Sequence, residues 1–134
     1  MVMRILLSVA LLLLAPGILA GKYDRFPIYV MTMNSQLNTP NVTYSTYGVY
    51  RGILLGALKR LEDSNADFKF TYTEDLNYGP YLESVNGLAG NDQEHTYWEL
   101  LVKTKEGQII RPDVGIGCYI PKANEQIILK YTTW

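Results

Sequence analysis

Residues 79–101 read GPYLESVNGLAGNDQEHTYWELL, and this stretch decides how the rest of the chain is interpreted. The Asn86-Gly87 pair is the dipeptide most suited to a tight reversal, because both positions accept positive φ angles. The runs on either side, YLESV and TYWELLVK, have the composition of strands. The stretch therefore predicts strands connected through a reversal at Asn86-Gly87 and a Gly/Asn-rich loop.

Further strands are predicted outward from this stretch, where aromatic and β-branched residues alternate, at residues 26–33, 42–47, 68–73 and 125–134. Residues 109–121 contain two prolines and two glycines, which predict an irregular edge strand or a strand broken by a loop. One helix is predicted from five apolar residues at three-and-four spacing: Ile53, Leu54, Ala57, Leu58 and Leu61. One helix packed on about five to seven short, mainly antiparallel strands makes an α+β domain.

The first 20 residues have the pattern of a secretory signal peptide. A basic start at Arg4 precedes an apolar run from Ile5 to Leu14, and small residues lead to a cleavage site after Ala20. A membrane anchor is the alternative, but the run is shorter than the roughly 20 apolar residues that a spanning helix needs. We therefore expect a secreted, extracellular protein without membrane insertion, with residues 1–20 as signal peptide and residues 21–134 as one domain.

The amino-acid composition limits which classes of binding partner and which covalent modifications we expect. The formal net charge is −1 and becomes −2 when the one basic residue of the signal peptide, Arg4, is removed. Nucleic acid is therefore not an expected partner. A single cysteine, Cys118, excludes an intramolecular disulfide framework; we expect it to be a small buried residue of a strand, with a bridge between chains as the alternative. Asn41-Val42-Thr43 is an N-glycosylation sequon, which predicts a surface loop and a glycoprotein.

Residues that usually carry catalysis are few. His95 is the only histidine, and its polar loop NDQEHTY favours an ordinary exposed side chain. A Cys118–His95 pair stays open from the sequence alone. The carboxylates available for a two-carboxylate site show no diagnostic spacing: Glu83, Glu94, Glu99 and Asp113. One histidine and one cysteine do not make a zinc pattern. We therefore expect a binding protein, not an enzyme, and no protein metal site.

Several segments, in their order along the chain, resemble one known family. They are GILLGAL at residues 52–58, GPYLESVNGLAG at 79–90, TYWELL at 96–101, VGIGCYIP at 114–121, and a last strand that ends in Trp134. This order resembles the C-terminal β-domain of the cobalamin carriers transcobalamin, intrinsic factor and haptocorrin, over residues 26–134. The resemblance implies a transcobalamin-like protein that binds cobalamin (vitamin B12) or a related corrinoid and takes part in cobalamin transport. The corrinoid would be a bound ligand and not a catalytic cofactor.

In that family the vitamin lies between a helical barrel domain and this smaller domain, so we expect one face of the ligand to be bound here. We expect no helical domain, because only the signal peptide precedes Lys22. The family's cobalt-ligating histidine belongs to the helical domain, and His95 is the one candidate substitute. The resemblance places the ligand-binding candidates at Asn86, Gly87, Leu88, Tyr97, Trp98, Leu100, Leu101, Arg111, Asp113, Val114, Gly115 and Tyr119.

Two of these candidates are adjacent and therefore cannot share one role. Tyr97 and Trp98 point to opposite sides of their strand, so we expect Trp98 to pack toward the core and Tyr97 to face the ligand. Arg111 is a candidate partner for the phosphate of the ligand's nucleotide tail, with a solvated arginine as the alternative. The small loop at residues 86–90 either brings backbone groups close to ligand amides or simply forms a hairpin turn.

Besides the corrinoid, we expect one of two protein partners. One is a second copy of the chain, which would form a homodimer around the ligand, and the other is a cell-surface receptor. The rival interpretation is a secreted protein-interaction module, a receptor ligand or inhibitor-like protein that has lost corrinoid binding. Cystatin-like inhibitors also place one helix on an antiparallel sheet, but they carry disulfides and a Gln-x-Val-x-Gly hairpin. The sequence has neither feature.

Overall fold

The structure is a computed structural model that describes residues 24–77 and 79–134. The predicted signal peptide, residues 1–20, lies outside the described residues. Within these ranges the elements are β1 (Arg25–Asn34), β2 (Val42–Val49), α1 (Leu54–Ser64), β3 (Phe70–Asp75), β4 (Gly79–Val85), β5 (Leu88–Ala89), β6 (Thr96–Lys103), β7 (Ile109–Ile110) and β8 (Gln126–Thr133).

The described strands form two sheets. A five-stranded sheet has the order β2-β1-β8-β6-β7, and a three-stranded sheet has the order β3-β4-β5. Strands β1 and β8 pair in parallel, whereas the other strand pairs are antiparallel. The prediction of mainly antiparallel strands is therefore confirmed.

The α+β fold class is wrong, because the described part of the chain is mainly β. Strands account for 47% of it and the helix for 10%. The predicted helix is present, but it spans only the three turns from Leu54 to Ser64, with four of its apolar side chains buried. The cause of the error is that one short amphipathic helix covers only part of a sheet face, while a second sheet covers the rest.

One hydrophobic core lies between the helix and the two sheets. Ile28, Ile127 and Leu129 contribute from the five-stranded sheet, Phe70 and Val85 from the three-stranded sheet, and Leu54, Ala57, Leu58 and Leu61 from α1. The alternation predicted for residues 68–73 is visible as successive ring contacts, Phe68 with Phe70 at 5.9 Å between ring centroids and Phe70 with Tyr72 at 6.2 Å. A core of this kind fixes the register of every strand that contributes to it.

The segment after β7 does not continue as a strand, and this corrects the prediction for Cys118. The backbone N–H groups of Leu54 and Leu55, at the start of α1, donate to the carbonyls of Tyr119 (2.8 Å) and Ile116 (2.9 Å). The first N–H groups of a helix need such acceptors from outside the helix. The carbonyls of Ile116 and Tyr119 therefore accept hydrogen bonds from the helix and are not available for pairing with a neighbouring strand. Cys118 lies exposed in a turn and not buried in a strand.

Candidate functional site

Two adjoining clefts run along the side of the molecule where β4 approaches β6. Their volumes are about 390 Å³ and 240 Å³. Four residues line both clefts, Tyr81 and Leu82 from β4 and Tyr97 and Trp98 from β6. We call this continuous surface, with its shared residues Tyr81, Leu82, Tyr97 and Trp98, the aromatic trough. Its first end carries Trp134 and Asp92, and its second end carries Arg111 and Val114.

Trp98 is fixed in place by both packing and hydrogen bonding. It is only 9% exposed, and its indole packs against the ring of Tyr131 at 5.1 Å between centroids. Its Nε1–H donates to the Leu88 carbonyl at 2.7 Å, so this donor is not available to a ligand. Trp98 therefore packs toward the core, as predicted from the sequence, and joins β6 to the hairpin loop. Contrary to the expectation that only one of the two adjacent residues would line the site, both Trp98 and Tyr97 line both clefts.

Tyr97 lies on the other side of β6 and is half-buried. Its ring contacts Trp134 edge-on at 5.9 Å between centroids. Trp134 is 60% exposed and Tyr81 is 50% exposed, so both present aromatic surface to solvent at the trough. Large apolar side chains exposed together in a concave surface are typical of a ligand site.

Arg111 is held by an ion pair at the second end of the trough. Its guanidinium contacts the carboxylate of Glu99, whose side chain is 9% exposed, while the Arg111 side chain is 69% exposed. Both residues line the same cleft. The charge of Arg111 is therefore already balanced by the buried carboxylate of Glu99. An anionic group of a ligand would therefore meet the Arg111–Glu99 pair, which has no net charge. The guanidinium N–H groups of Arg111 that face solvent would still be available as hydrogen-bond donors.

The hairpin loop at residues 86–90 has a structural role in the isolated chain. Asn86 and Gly87 both have positive φ, 50° and 84°, as a tight reversal requires. Asn86 also accepts a hydrogen bond from the Lys69 N–H (2.9 Å) and donates one to Tyr44 Oη (3.2 Å). At Gly90, an added Cβ would lie 2.9 Å from the Thr96 carbonyl. The absence of a side chain at Gly90 thus lets the loop approach β6.

The structure brings together part of the predicted site. Tyr97, Trp98, Leu100, Arg111, Val114 and Gly115 line the trough, whereas Gly87, Leu101, Asp113 and Tyr119 do not line either of its clefts. Along β6 the trough is lined by the residues from Thr96 to Leu100, and it ends before Leu101. The Tyr119 hydroxyl donates to Glu125 at 2.7 Å. Burial, that hydrogen bond and the carboxylate charge all raise the pKa of Tyr119 above its usual value.

Asn86, Leu88 and Trp98 also line a third cleft, of about 360 Å³. Its remaining walls come from the end of β1 and the start of β2, including Thr32, Met33 and Val42, and from Thr39 and Pro40 in the connection between them. Because Asn41 of the predicted sequon lies at this edge, we call it the sequon cleft. It meets the trough only at Trp98.

Tyr81, Leu82 and Trp134 line the trough but were not among the predicted binding residues, although all three lie in segments that carry the family resemblance. Alternation along β4 could not have selected both Tyr81 and Leu82, because it places them on opposite faces of the strand. Their functional position depends on β4 lying beside β6, which is a contact between separate sheets.

His95 stands beside the trough and not in it. It has a φ of 56°, its carbonyl accepts the Trp134 N–H at 2.9 Å, and its ring lies 5.0 Å from the Trp134 ring. Within residues 24–77 and 79–134, no cluster of three or more His, Cys, Asp and Glu side chains is arranged to hold a metal ion. No helix in the described part of the chain combines the length and apolar character needed to cross a membrane.

Known proteins similar to this chain include cobalamin carriers. The chain matches the family described as "Domain of unknown function (DUF4430)" over residues 53–133. It is 32% identical over 110 residues to the cobalamin binding intrinsic factor of Mus musculus, which covers 78% of this chain and 25% of that protein. It is 33% identical over 86 residues to transcobalamin-1 of Sus scrofa, which covers 63% of this chain and 18% of that protein.

A solved structure also shares the fold. Haptocorrin in complex with Cbi matches with a TM-score of 0.70 and 19% identity, over 84% of this chain and 26% of that chain. The chain spans about a quarter of the length of this structure and of the mouse relative. The resemblance to the β-domain of cobalamin carriers, predicted from the order of the segments, is confirmed.

Proposed function

The chain belongs to the DUF4430 family, and on that premise we propose that it is a secreted protein that binds cobalamin or a related corrinoid in the aromatic trough. Residues 21–134 form the binding domain in this proposal, and residues 1–20 are a signal peptide. The protein takes part in cobalamin transport and has no catalytic role.

One observation carries the proposal: three segments that carry the resemblance meet at the trough. Tyr81 and Gly90 come from residues 79–90, Tyr97 and Trp98 from 96–101, and Val114 from 114–121. These segments are separated along the chain, so only the fold brings them to one surface. A corrinoid is a broad ring with apolar methyl groups and a rim of amides, and the trough offers exposed aromatic rings beside the carboxylates of Glu83 and Asp92 as acceptors.

Binding energies limit how tightly one open trough holds such a ligand. If the trough covers about 200 Å² of apolar ligand surface, burial contributes about 5 kcal/mol at about 25 cal/mol per Å². Association costs about 4 to 15 kcal/mol in lost freedom of motion. Polar contacts must provide the rest, so a single domain binds more weakly than a two-domain clamp. Tight binding would therefore require a second covering surface, and a second copy of the chain is our proposal for it.

Equilibrium dialysis against cobalamin and against cobinamide tests the proposal. We expect the full chain to retain at least one of them, and we expect Tyr81→Ala to weaken binding about tenfold or more, since a buried aromatic side chain is worth about 1.5–3 kcal/mol. Tyr50→Ala is the matched control, because Tyr50 is 61% exposed and does not line the trough. Size-exclusion chromatography of the loaded protein reports whether a second copy closes over the ligand.

The experiment tests separately whether the protein binds a corrinoid and whether the trough is the binding site. If no corrinoid is retained, the proposal fails and the secreted interaction module becomes the better interpretation. If a corrinoid is retained but Tyr81→Ala and Tyr50→Ala bind equally, the function stands and the trough is the wrong site. A strictly monomeric complex of high affinity would contradict the proposed second copy.

A further inference from the structure

The sequon Asn41-Val42-Thr43 lies at the rim of a cleft that the proposed function does not use. Asn41 is exposed directly before β2, and its two neighbours, Pro40 and Val42, both line the sequon cleft. No hydrogen bond joins the Asn41 side chain to another described residue, so its amide is free to be modified. The attachment point and the cleft are therefore adjacent in the fold.

The lining of the sequon cleft suits a neutral sugar. None of the described residues that line it carries a charge. Met33, Val42 and Leu88 provide apolar side chains to the lining, and Thr32 and Thr39 are hydroxyl-bearing residues of the same lining. An N-acetylated pyranose has the same combination, an apolar ring face and a methyl group together with hydroxyl and amide groups. A volume of about 360 Å³ lies in the range of sites for small ligands.

We propose that Asn41 carries an N-glycan whose first N-acetylglucosamine packs into the sequon cleft. Asn41 Nδ2 forms the bond to the anomeric carbon of a lipid-diphosphate-linked sugar donor; the amide loses one proton and the lipid diphosphate leaves. This step takes place in the secretory pathway, so the inference depends on the predicted secretion. It does not depend on corrinoid binding.

Covalent attachment to Asn41 allows the sugar to occupy the sequon cleft through weak contacts alone. A free sugar must offset the loss of its translational freedom before it occupies a shallow cleft. A sugar tethered to Asn41 has already lost most of that freedom and is held at high effective concentration near the cleft. Trp98 is the one residue that the sequon cleft shares with the trough, so the packed sugar leaves the other lining residues of the trough uncovered.

The test compares three forms of the full chain secreted from a eukaryotic host: untreated, trimmed by an endoglycosidase to one N-acetylglucosamine, and fully deglycosylated. Mass spectrometry should find Asn41 occupied. Hydrogen exchange at residues 32–34 and 85–88 should be slow in the first two forms and faster in the third. The melting temperature should fall by about 4 °C only on full removal, as expected for loss of a moderate contact in a small domain.

Three variants make the result specific. Asn41→Asp reproduces the chemical product of full deglycosylation and should behave like it, and Thr43→Ala should lose the glycan. Val42→Ser keeps the sequon but removes an apolar wall, so it should remain glycosylated while the difference between the trimmed and deglycosylated forms shrinks. Unmodified Asn41 in the secreted protein would overturn the proposal. So would equal exchange rates and melting temperatures in all three forms, or a Val42→Ser variant that keeps the full difference.

Discussion

Tyr119 and Glu125 show how a single hydrogen bond supports the wall of the trough. Glu125 is 4% exposed and accepts from the Tyr119 hydroxyl (2.7 Å) and the Lys122 N–H (2.9 Å). The Tyr119 carbonyl in turn accepts from the first N–H of α1. A buried carboxylate needs such donors to offset its lost hydration. The pair therefore holds the segment from Gly115 to Glu125 against the helix, and Gly115 at its start lines the trough.

Alkaline pH should weaken the protein through Tyr119. Its pKa is raised in the folded state above the ordinary value of about 10. Its contribution to stability is therefore fully present below about pH 10 and is lost as the pH rises through the folded pKa, because only the unfolded chain releases the proton. The free energy of unfolding should fall over this range. The slope stays below the limit of about 1.4 kcal/mol per pH unit, since solvent screens a half-buried group.

Urea unfolding between pH 8 and pH 11 measures this effect by comparison with Tyr119→Phe. The variant lacks the ionising group, so its stability should fall less steeply than that of the wild-type protein above pH 10. Other tyrosines and lysines titrate equally in both proteins and cancel in the difference. Parallel curves for the two proteins would show that Tyr119 does not cause the alkaline loss.

Among the elements, the reversal between β4 and β5 depends on the conformational freedom of glycine. Gly87 has a φ of 84°, where no atom would meet an added Cβ within 4 Å, so the cost of a side chain there is purely conformational. Gly87→Ala should lower the free energy of unfolding by about 1–2 kcal/mol. Gly56 in α1 is the matched control, because it is helical and its added Cβ would make ordinary contact with Arg60 at 3.5 Å.

The two substitutions should have opposite signs. Gly56→Ala should raise the free energy of unfolding by up to about 1 kcal/mol, because alanine loses less backbone entropy in a helix. Chemical denaturation of both variants and the wild-type protein gives the comparison directly. If Gly87→Ala were as stable as the wild-type protein, the turn would tolerate a backbone conformation without the positive φ of Gly87.

Sequence patterns predicted the elements whose causes are local. The alternation in β6, the helical spacing in α1 and the Asn86-Gly87 reversal each depend on neighbouring residues, and all three are present. The turn at Cys118 was missed because it is set by the need of α1 for carbonyl acceptors, which no local pattern reports. The fold class was wrong for a similar reason: the small share of the helix depends on a second sheet that covers the remaining core.

The candidate site was predicted only in part, because it lies where distant segments meet. Tyr97 and Trp98 were assigned to opposite sides of β6 by strand geometry alone, and the structure has them there. Arg111 was selected for its charge, but its pairing with Glu99 requires knowledge of which carboxylate is buried nearby. Trp134 enters the trough through its contact with Tyr97, which no spacing in the sequence predicts.

In the whole molecule, Trp98 joins the two sheets through one core. It belongs to β6 of the five-stranded sheet, and its indole donates to the carbonyl of Leu88 in β5 of the three-stranded sheet. Tyr131 of β8 makes a second such link, since its hydroxyl donates to the carbonyl of Ala89 at 3.1 Å. Sheets connected in this way should not unfold independently, and a small single core usually unfolds in one transition.

Trp98→Phe tests this coupling. It removes the indole donor and leaves the Leu88 carbonyl unpaired, so we expect a loss of about 1–3 kcal/mol in the free energy of unfolding. Trp134→Phe is the matched control and should change stability by less than about 0.5 kcal/mol, because Trp134 is 60% exposed. In both variants, circular dichroism and hydrogen exchange should report one transition shared by β4 and β8. The opposite result would be faster hydrogen exchange of β3 and β4 in Trp98→Phe while β1 and β8 stay protected. The three-stranded sheet would then be a separate folding unit, and the wall that β4 contributes to the trough would open without the rest of the molecule.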